Sequence, residues 1–229
     1  MKHLSIHKVI LLAFSLIFMS SWSMADEAGN IKRVSGTASI ISSTNQTREA
    51  KAGDVVSSGE TIATTKDSQV LIQMKDKSTM IVRSDSKVKI AEFKFEGNKA
   101  TDTMKTTILS GTLRAVSGTI GKGQPDNVKY EVGTETIGIR GTDIELAIIP
   151  EGQKDRAGIY DYVHDGETSM TLDTGETVNV EKELSGFTPE KLLPGEKKLQ
   201  ILRDRPAFLQ SSGFDALIQQ LTQPRIMVR

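Results

Sequence analysis

The chain has 229 residues, no cysteine, and 29 basic groups balanced by 29 acidic ones. That charge balance provides no electrostatic footprint for nucleic acid, whose binding needs a clustered basic face. The absence of cysteine leaves a hydrophobic core as the means of stabilisation, and the chain is long enough to bury one.

The first 25 residues form a unit of their own. Lys2 and Lys8 precede the apolar run Val9 to Met19, and Ser23-Met24-Ala25 stands before Asp26. A basic start, an apolar stretch of about 7–15 residues and a small-x-small site are read by signal peptidase, so cleavage is expected between Ala25 and Asp26. A transmembrane helix needs about 20 consecutive apolar residues, and Ser15, Ser20, Ser21 and Ser23 interrupt this run. No membrane span is therefore expected after cleavage. No cysteine follows the apolar run to carry a lipid. Loss of Lys2 and Lys8 leaves 27 basic groups against 29 acidic ones, a net charge of about −2. The expected compartment is the periplasm of a double-membraned bacterium, with secretion as the alternative.

From Ile31 onward, short alternating runs are separated by turn residues. Gly36 to Ile41 precedes a polar loop through Asn45, and Lys51 to Ile62 holds two glycine turns. Gln69–Met74, the charged turn Lys75 to Ser78 and Thr79–Arg83 predict a hairpin. Val88 to Phe95, Thr106 to Leu109, Thr112 to Val116, Val128 to Val132 and Asp143 to Ile149 continue the series. Glu151 to Arg156 reads as an exposed loop, and Ser169–Leu172 and Thr177–Val180 as a further hairpin. Strands at this spacing predict an all-β fold of stacked antiparallel hairpins, either a β-sandwich or a twisted β-solenoid.

No run before residue 206 has helical period. Ser212 is placed to cap one short C-terminal helix carrying Phe214, Leu217, Ile218 and Leu221, which Pro224 ends. The expected organisation is a leader over 1–25, a β domain over 26–185, and a tail over 186–229 containing that amphipathic helix.

The phrase from Tyr130 to Leu146 predicts a strand, a glycine kink around Gly138 and Gly141, and a second strand. With Gly53-Asp54, Asp67 to Val70, Gly111-Thr-Leu-Arg114, Ser117-Gly118 and Thr136-Ile-Gly-Ile-Arg-Gly-Thr142, it resembles the FecR-type periplasmic domain. The resemblance is densest over 53–147. It marks Gly111, Arg114, Gly118, Gly138, Arg140, Gly141 and Thr142 as family-motif positions, structural or interacting. The family's best-known members are iron-uptake regulators that join an outer-membrane transporter to a cytoplasmic sigma factor. The resemblance implies an exported, stand-alone, β-rich interaction domain without the anti-sigma segment. Two departures stand out: Lys77 occupies a position where the family has a turn glycine, and Val132 to Glu135 replaces a proline-containing lead.

Catalytic chemistry finds few carriers. His164 is the one histidine after residue 25, so neither a transition-metal cluster nor a nucleophilic triad is expected, and His164 reads as a surface turn residue. Asp143 and Glu145 share a strand face, the usual solvated pattern. Asp161, Asp165, Glu167 and Asp173 lack the spacing of a calcium loop. Gly118 to Gly123 does not end as a phosphate loop does and reads as a flexible inter-strand loop. Arg140 is expected to pin the corner through Asp143, or to anchor a partner's carboxylate.

The expectation is a non-enzymatic protein without a cofactor or metal, acting through an envelope protein partner in sensing, signalling or assembly. The alternative is a polysaccharide- or peptidoglycan-binding module using Arg140, Tyr160 and Tyr162.

Overall fold

A computed structural model describes residues 26–98 and 100–209. The expected leader through Ala25 and the expected helix after Ser212 lie outside those residues. The described residues are strand-dominated, as the alternating pattern predicts. In chain order they form β1 (Glu27–Ser35), β2 (Ala38–Ile41), β3 (Thr47–Glu49), β4 (Val55–Ser57), β5 (Thr61–Thr64), β6 (Gln69–Met74), β7 (Thr79–Val82) and β8 (Lys87–Lys94). Then come β9 (Thr103–Val116), α1 (Thr119–Gly123), β10 (Val128–Val132), β11 (Glu135–Ile149), β12 (Gly158–Thr171), β13 (Thr177–Glu181), β14 (Ser185–Pro189) and β15 (Gln200–Leu202). The strands join one open, mixed sheet, antiparallel except where β10 runs parallel to β9.

The three long strands fold that sheet over itself. Along β9, residues 103–110 pair with β8 and residues 104–108 with β10, whereas residues 111–116 pair with β11 and residues 113–116 with β7. Along β11, residues 135–138 pair with β10 and residues 143–148 with β9. Along β12, residues 158–162 pair with β14 and residues 167–171 with β13. Each strand changes neighbours at a glycine of positive φ: Gly111 (78°), Gly141 (62°) and Gly166 (83°). Inward parity changes there too. Met104 and Ile108 give way to Leu113 and Ala115, Ile137 and Ile139 to Ile144 and Leu146, and Val163 to Met170. A regular strand keeps its parity, so the irregularity at each bend lets both halves face one core.

That core lies between two layers. Ile40, Ile62, Val88, Ile90, Met104 and Tyr130 come from the first, and Ile31, Val70, Ile72, Met80, Leu113, Ile144 and Leu146 from the second. The sandwich expectation therefore describes the arrangement better than a run of simple hairpins.

Several local expectations change. Thr106–Leu109 and Thr112–Val116 belong to one strand bent at Gly111, with no turn between them. The kink in the motif sits at Gly141 alone, because Gly138 has no positive φ. The hairpin turn lies earlier, at Gly133-Thr134, where Val132 faces Glu135 and Gly133 takes a φ of 61°. Glycine at the first central position suits a two-residue hairpin, so the turn needs no proline. Lys77 adopts a φ of 71°, the conformation a turn glycine would supply. The Gly118 to Gly123 stretch contains a short helix where a flexible loop was expected. The sheet also continues through β14 and β15, past residue 185.

Candidate interaction site

The family-motif residues gather where β9, β11 and α1 meet, and most are consumed by the fold. Gly111 lies against β-turn backbone: a Cβ there would come within 2.6 Å of Ser86 Cα. The Ser86 hydroxyl meanwhile accepts the Thr112 N–H at 2.8 Å. Ser117 and Thr142 clasp the two bent strands. The Ser117 N–H donates to the Thr142 carbonyl at 2.9 Å, and the Thr142 N–H donates to Ser117 Oγ at 3.0 Å.

Gly118 is fixed by close approach. A Cβ on it would lie 2.2 Å from Ser78 N and 2.5 Å from the Asp76 carbonyl oxygen. Asp76 is fully buried, and its Oδ1 accepts the Ser78 N–H at 3.0 Å and the Ser78 hydroxyl at 2.6 Å. Its Oδ2 accepts the Ile120 N–H at 3.3 Å. The Asp76 carbonyl accepts from Thr119, so the β6–β7 turn holds the start of α1. Gly138 lies on β11 opposite Ser169, whose Oγ would be 2.7 Å from an added Cβ.

Arg114 pairs with Asp143, Nε to Oδ1 and Nη2 to Oδ2, each at 2.9 Å. The carboxylate expected for Arg140 is thus already engaged. The Arg140 side chain is exposed and makes no hydrogen bond or ion pair among the described residues. Gly141 beside it has open space around a hypothetical Cβ.

The other charged candidates are paired or separated. Glu145, 1% exposed, forms an ion pair with Arg83, and its Oε2 lies 3.1 Å from His164 Nε2. His164 therefore stands within β12 as a half-buried partner of Glu145, not in a surface turn. With Asp143 and Glu145 both ion-paired, the strand-face carboxylates are tied to arginines. Asp161 is buried and accepts the Thr168 hydroxyl at 2.5 Å. Burial pushes its carboxyl up to about 7, against a smaller lowering by that hydrogen bond. Asp165 and Asp173 instead meet Lys182 and Lys198, so the acidic residues weighed for calcium do not converge. No group of three or more metal-ligating side chains occurs among the described residues.

Tyr160 and Tyr162, proposed platforms for a glycan, are both buried. Tyr160 packs on Phe187 at 4.5 Å between ring centroids and edge-on to Phe208 at 5.3 Å. A cleft of about 720 Å³ lies beside them, lined in part by Arg33, Gln69, Arg83, Ile149 and Phe208. Asp155 closes its rim, accepting the N–H groups of Ala207 and Phe208 at 2.7 Å each. No described helix is long and apolar enough to cross a membrane.

Fold and motif define an all-β domain whose bent strands are held by glycine corners, a serine–threonine clasp and buried ion pairs. Residues 60–167 match the FecR family model, described as FecR protein. The match starts seven residues after, and ends twenty after, the densest part of the sequence resemblance. Two crystal structures of a candidate anti-sigma factor from Parabacteroides distasonis are similar at 10% and 8% identity, each with a TM-score of 0.45. Each alignment covers 62% of this chain and 57% of the other. No curated protein matches the chain.

Proposed function

We propose that this protein is a signalling or regulatory component of the cell envelope, exported by residues 1–25, whose FecR-type domain binds another envelope protein. In this reading the β domain runs from residue 26 through β15, past the boundary expected at residue 185, and the chain beyond is an appended tail. The observation that carries it is the state of Arg140. Gly111, Arg114, Gly118, Gly141 and Thr142 each serve a bend, a clasp, a close approach or an ion pair, whereas the exposed Arg140 side chain has no partner among the described residues. It projects from a rigid bent strand, and a guanidinium in that position suits two-point contact with a carboxylate. Short edge strands such as β3 and β15 offer backbone hydrogen bonds to an added strand, which would extend the contact.

The test is affinity capture from native envelopes with the parent and Arg140→Ala proteins, with purified sacculi as a parallel bait. The reading expects one discrete protein retained by the parent and at least tenfold depleted with the variant. Equal retention by both proteins contradicts it. Binding to sacculi alone would favour the glycan alternative, which has lost its tyrosine platforms to the core.

A further inference from the structure

The outward face of the second layer is out of water across most of its width. Thr79–Val82, residues 144–147, residues 160–163 and Ser185–Pro189 are buried at every position. A sheet with one solvated face alternates buried and exposed positions, and unbroken burial marks strands covered on both sides. At the β12–β14 end the cover is visible, since Phe208 packs on Tyr160 and Asp155 holds the backbone on either side of Ala207.

At the β6–β7 end the described residues supply no such layer. Leu71 and Ile81 point away from the shared core and are 1% and 0% exposed, yet the hydrophobic residue packed on them is Val116, from the same sheet. The main contacts of β6 and β7 are their sheet neighbours β1 and β9 and, inward, β5. Gln69 Oε1 and Thr79 Oγ1, on the same outward face, are buried without a partner among the described residues. The chain leaves the described residues just after Leu209, from the rim of the cleft that also borders Gln69 and Arg83.

We propose that the chain's own residues 212–223 dock across this face as a helix, with Phe214, Leu217, Ile218 and Leu221 covering Leu71 and Ile81. The dimensions agree. Four strand spacings separate β12 from β6 in the sheet order, about 19 Å at about 4.8 Å each. Twelve helical residues span about 18 Å. Gln219, Gln220 and Gln223 fall on the other side of the helix and give it a polar outer surface.

The chain has no cysteine, so one introduced pair reports the contact directly in the full chain. Under mild oxidation, Val116→Cys with Leu217→Cys is expected to form an intramolecular disulfide at a rate independent of protein concentration. Leu109→Cys, at an exposed position of β9, should stay reduced when combined with Leu217→Cys. Absence of the Val116 cross-link, cross-links only between molecules, or preferential pairing of Val116→Cys with Leu12→Cys would each overturn the proposal. The last two outcomes identify a second copy or residues 1–25 as the cover. If the cysteine variants fail to fold, Leu217→Asp with Ile218→Asp gives an independent reading. Amide protection at Leu71 and Ile81 should fall at least tenfold, and unchanged protection would overturn the assignment.

Discussion

Arg114 on β9 and Asp143 on β11 form a two-point ion pair across the bent strands, with side chains only 14% and 22% exposed. Charge-assisted bonds in a largely dry site are worth more than surface pairs, and loss of one partner leaves the other charge poorly solvated. Asp143→Ala is expected to lower unfolding free energy by about 2–3 kcal/mol in urea titrations. Arg114→Leu combined with Asp143→Leu should cost less than the sum of the two single changes. Strict additivity would show that the pair does not join the strands.

Two motif glycines should respond to alanine for different reasons and by different amounts. At Gly118 the added Cβ would meet backbone at 2.2 Å and 2.5 Å, neither contact relieved by a rotamer change. Gly118→Ala is therefore expected to cost more than about 3 kcal/mol, as strained core insertions do. At Gly141 nothing lies within 4 Å and only the φ of 62° opposes a side chain. Gly141→Ala should cost about 1–2 kcal/mol. Equal losses at the two positions would remove the distinction between close approach and backbone conformation.

Asp161 gives the fold a pH dependence of definite sign. Its carboxyl is raised from 3.8 to about 7, so the folded state holds a proton that the unfolded chain releases. The resulting stability is complete below about 3.8 and is lost as pH rises through about 7. At about 1.4 kcal/mol per unit, the contribution is at most on the order of 4 kcal/mol. Urea midpoints should fall between pH 5 and pH 8.5, and Asp161→Asn should flatten that slope. A variant with the parent's slope would assign the dependence to other groups.

Lys77 holds a φ of 71° in the turn between β6 and β7. Lys77→Gly relieves that conformation while adding freedom to the unfolded chain, so a net gain of about 0.5 kcal/mol is expected from the difference. Thermal denaturation checks the sign, and a loss of stability would mean that the lysine side chain contributes more than the backbone conformation costs.

Local signals predicted much of this architecture. The β6–β7 hairpin is legible because Gln69–Met74 and Thr79–Val82 flank a charged turn, and β10 has the expected bounds. What was missed depends on partners distant in sequence. Gly111 looks like a turn between strands, but its close approach to Ser86 makes it a bend within one. The Tyr160 to Gly166 phrase looks like a surface turn because Asp161 and His164 are polar. Thr168 satisfies the first from across the β12 bend, and Glu145 meets the second from β11. The five residues of α1 are too few for a period to show, and Asp76, 44 positions earlier than Ile120, helps to hold its first turn. At the site, the motif predicts a kink around Gly138 and Gly141, and the bend falls at Gly141 alone. Whether Arg114 or Arg140 would take Asp143 was decided by the β9–β11 register, which alternation along either strand does not encode.

The direct test of the binding account is photo-crosslinking from position 140 in intact cells. A photoreactive residue replacing Arg140 is expected to yield one discrete adduct with another envelope protein, while the same residue replacing exposed Leu109 yields none. Equal labelling from both positions, or no adduct from position 140 in protein folded as well as the parent, would contradict the claim that this corner is a contact surface.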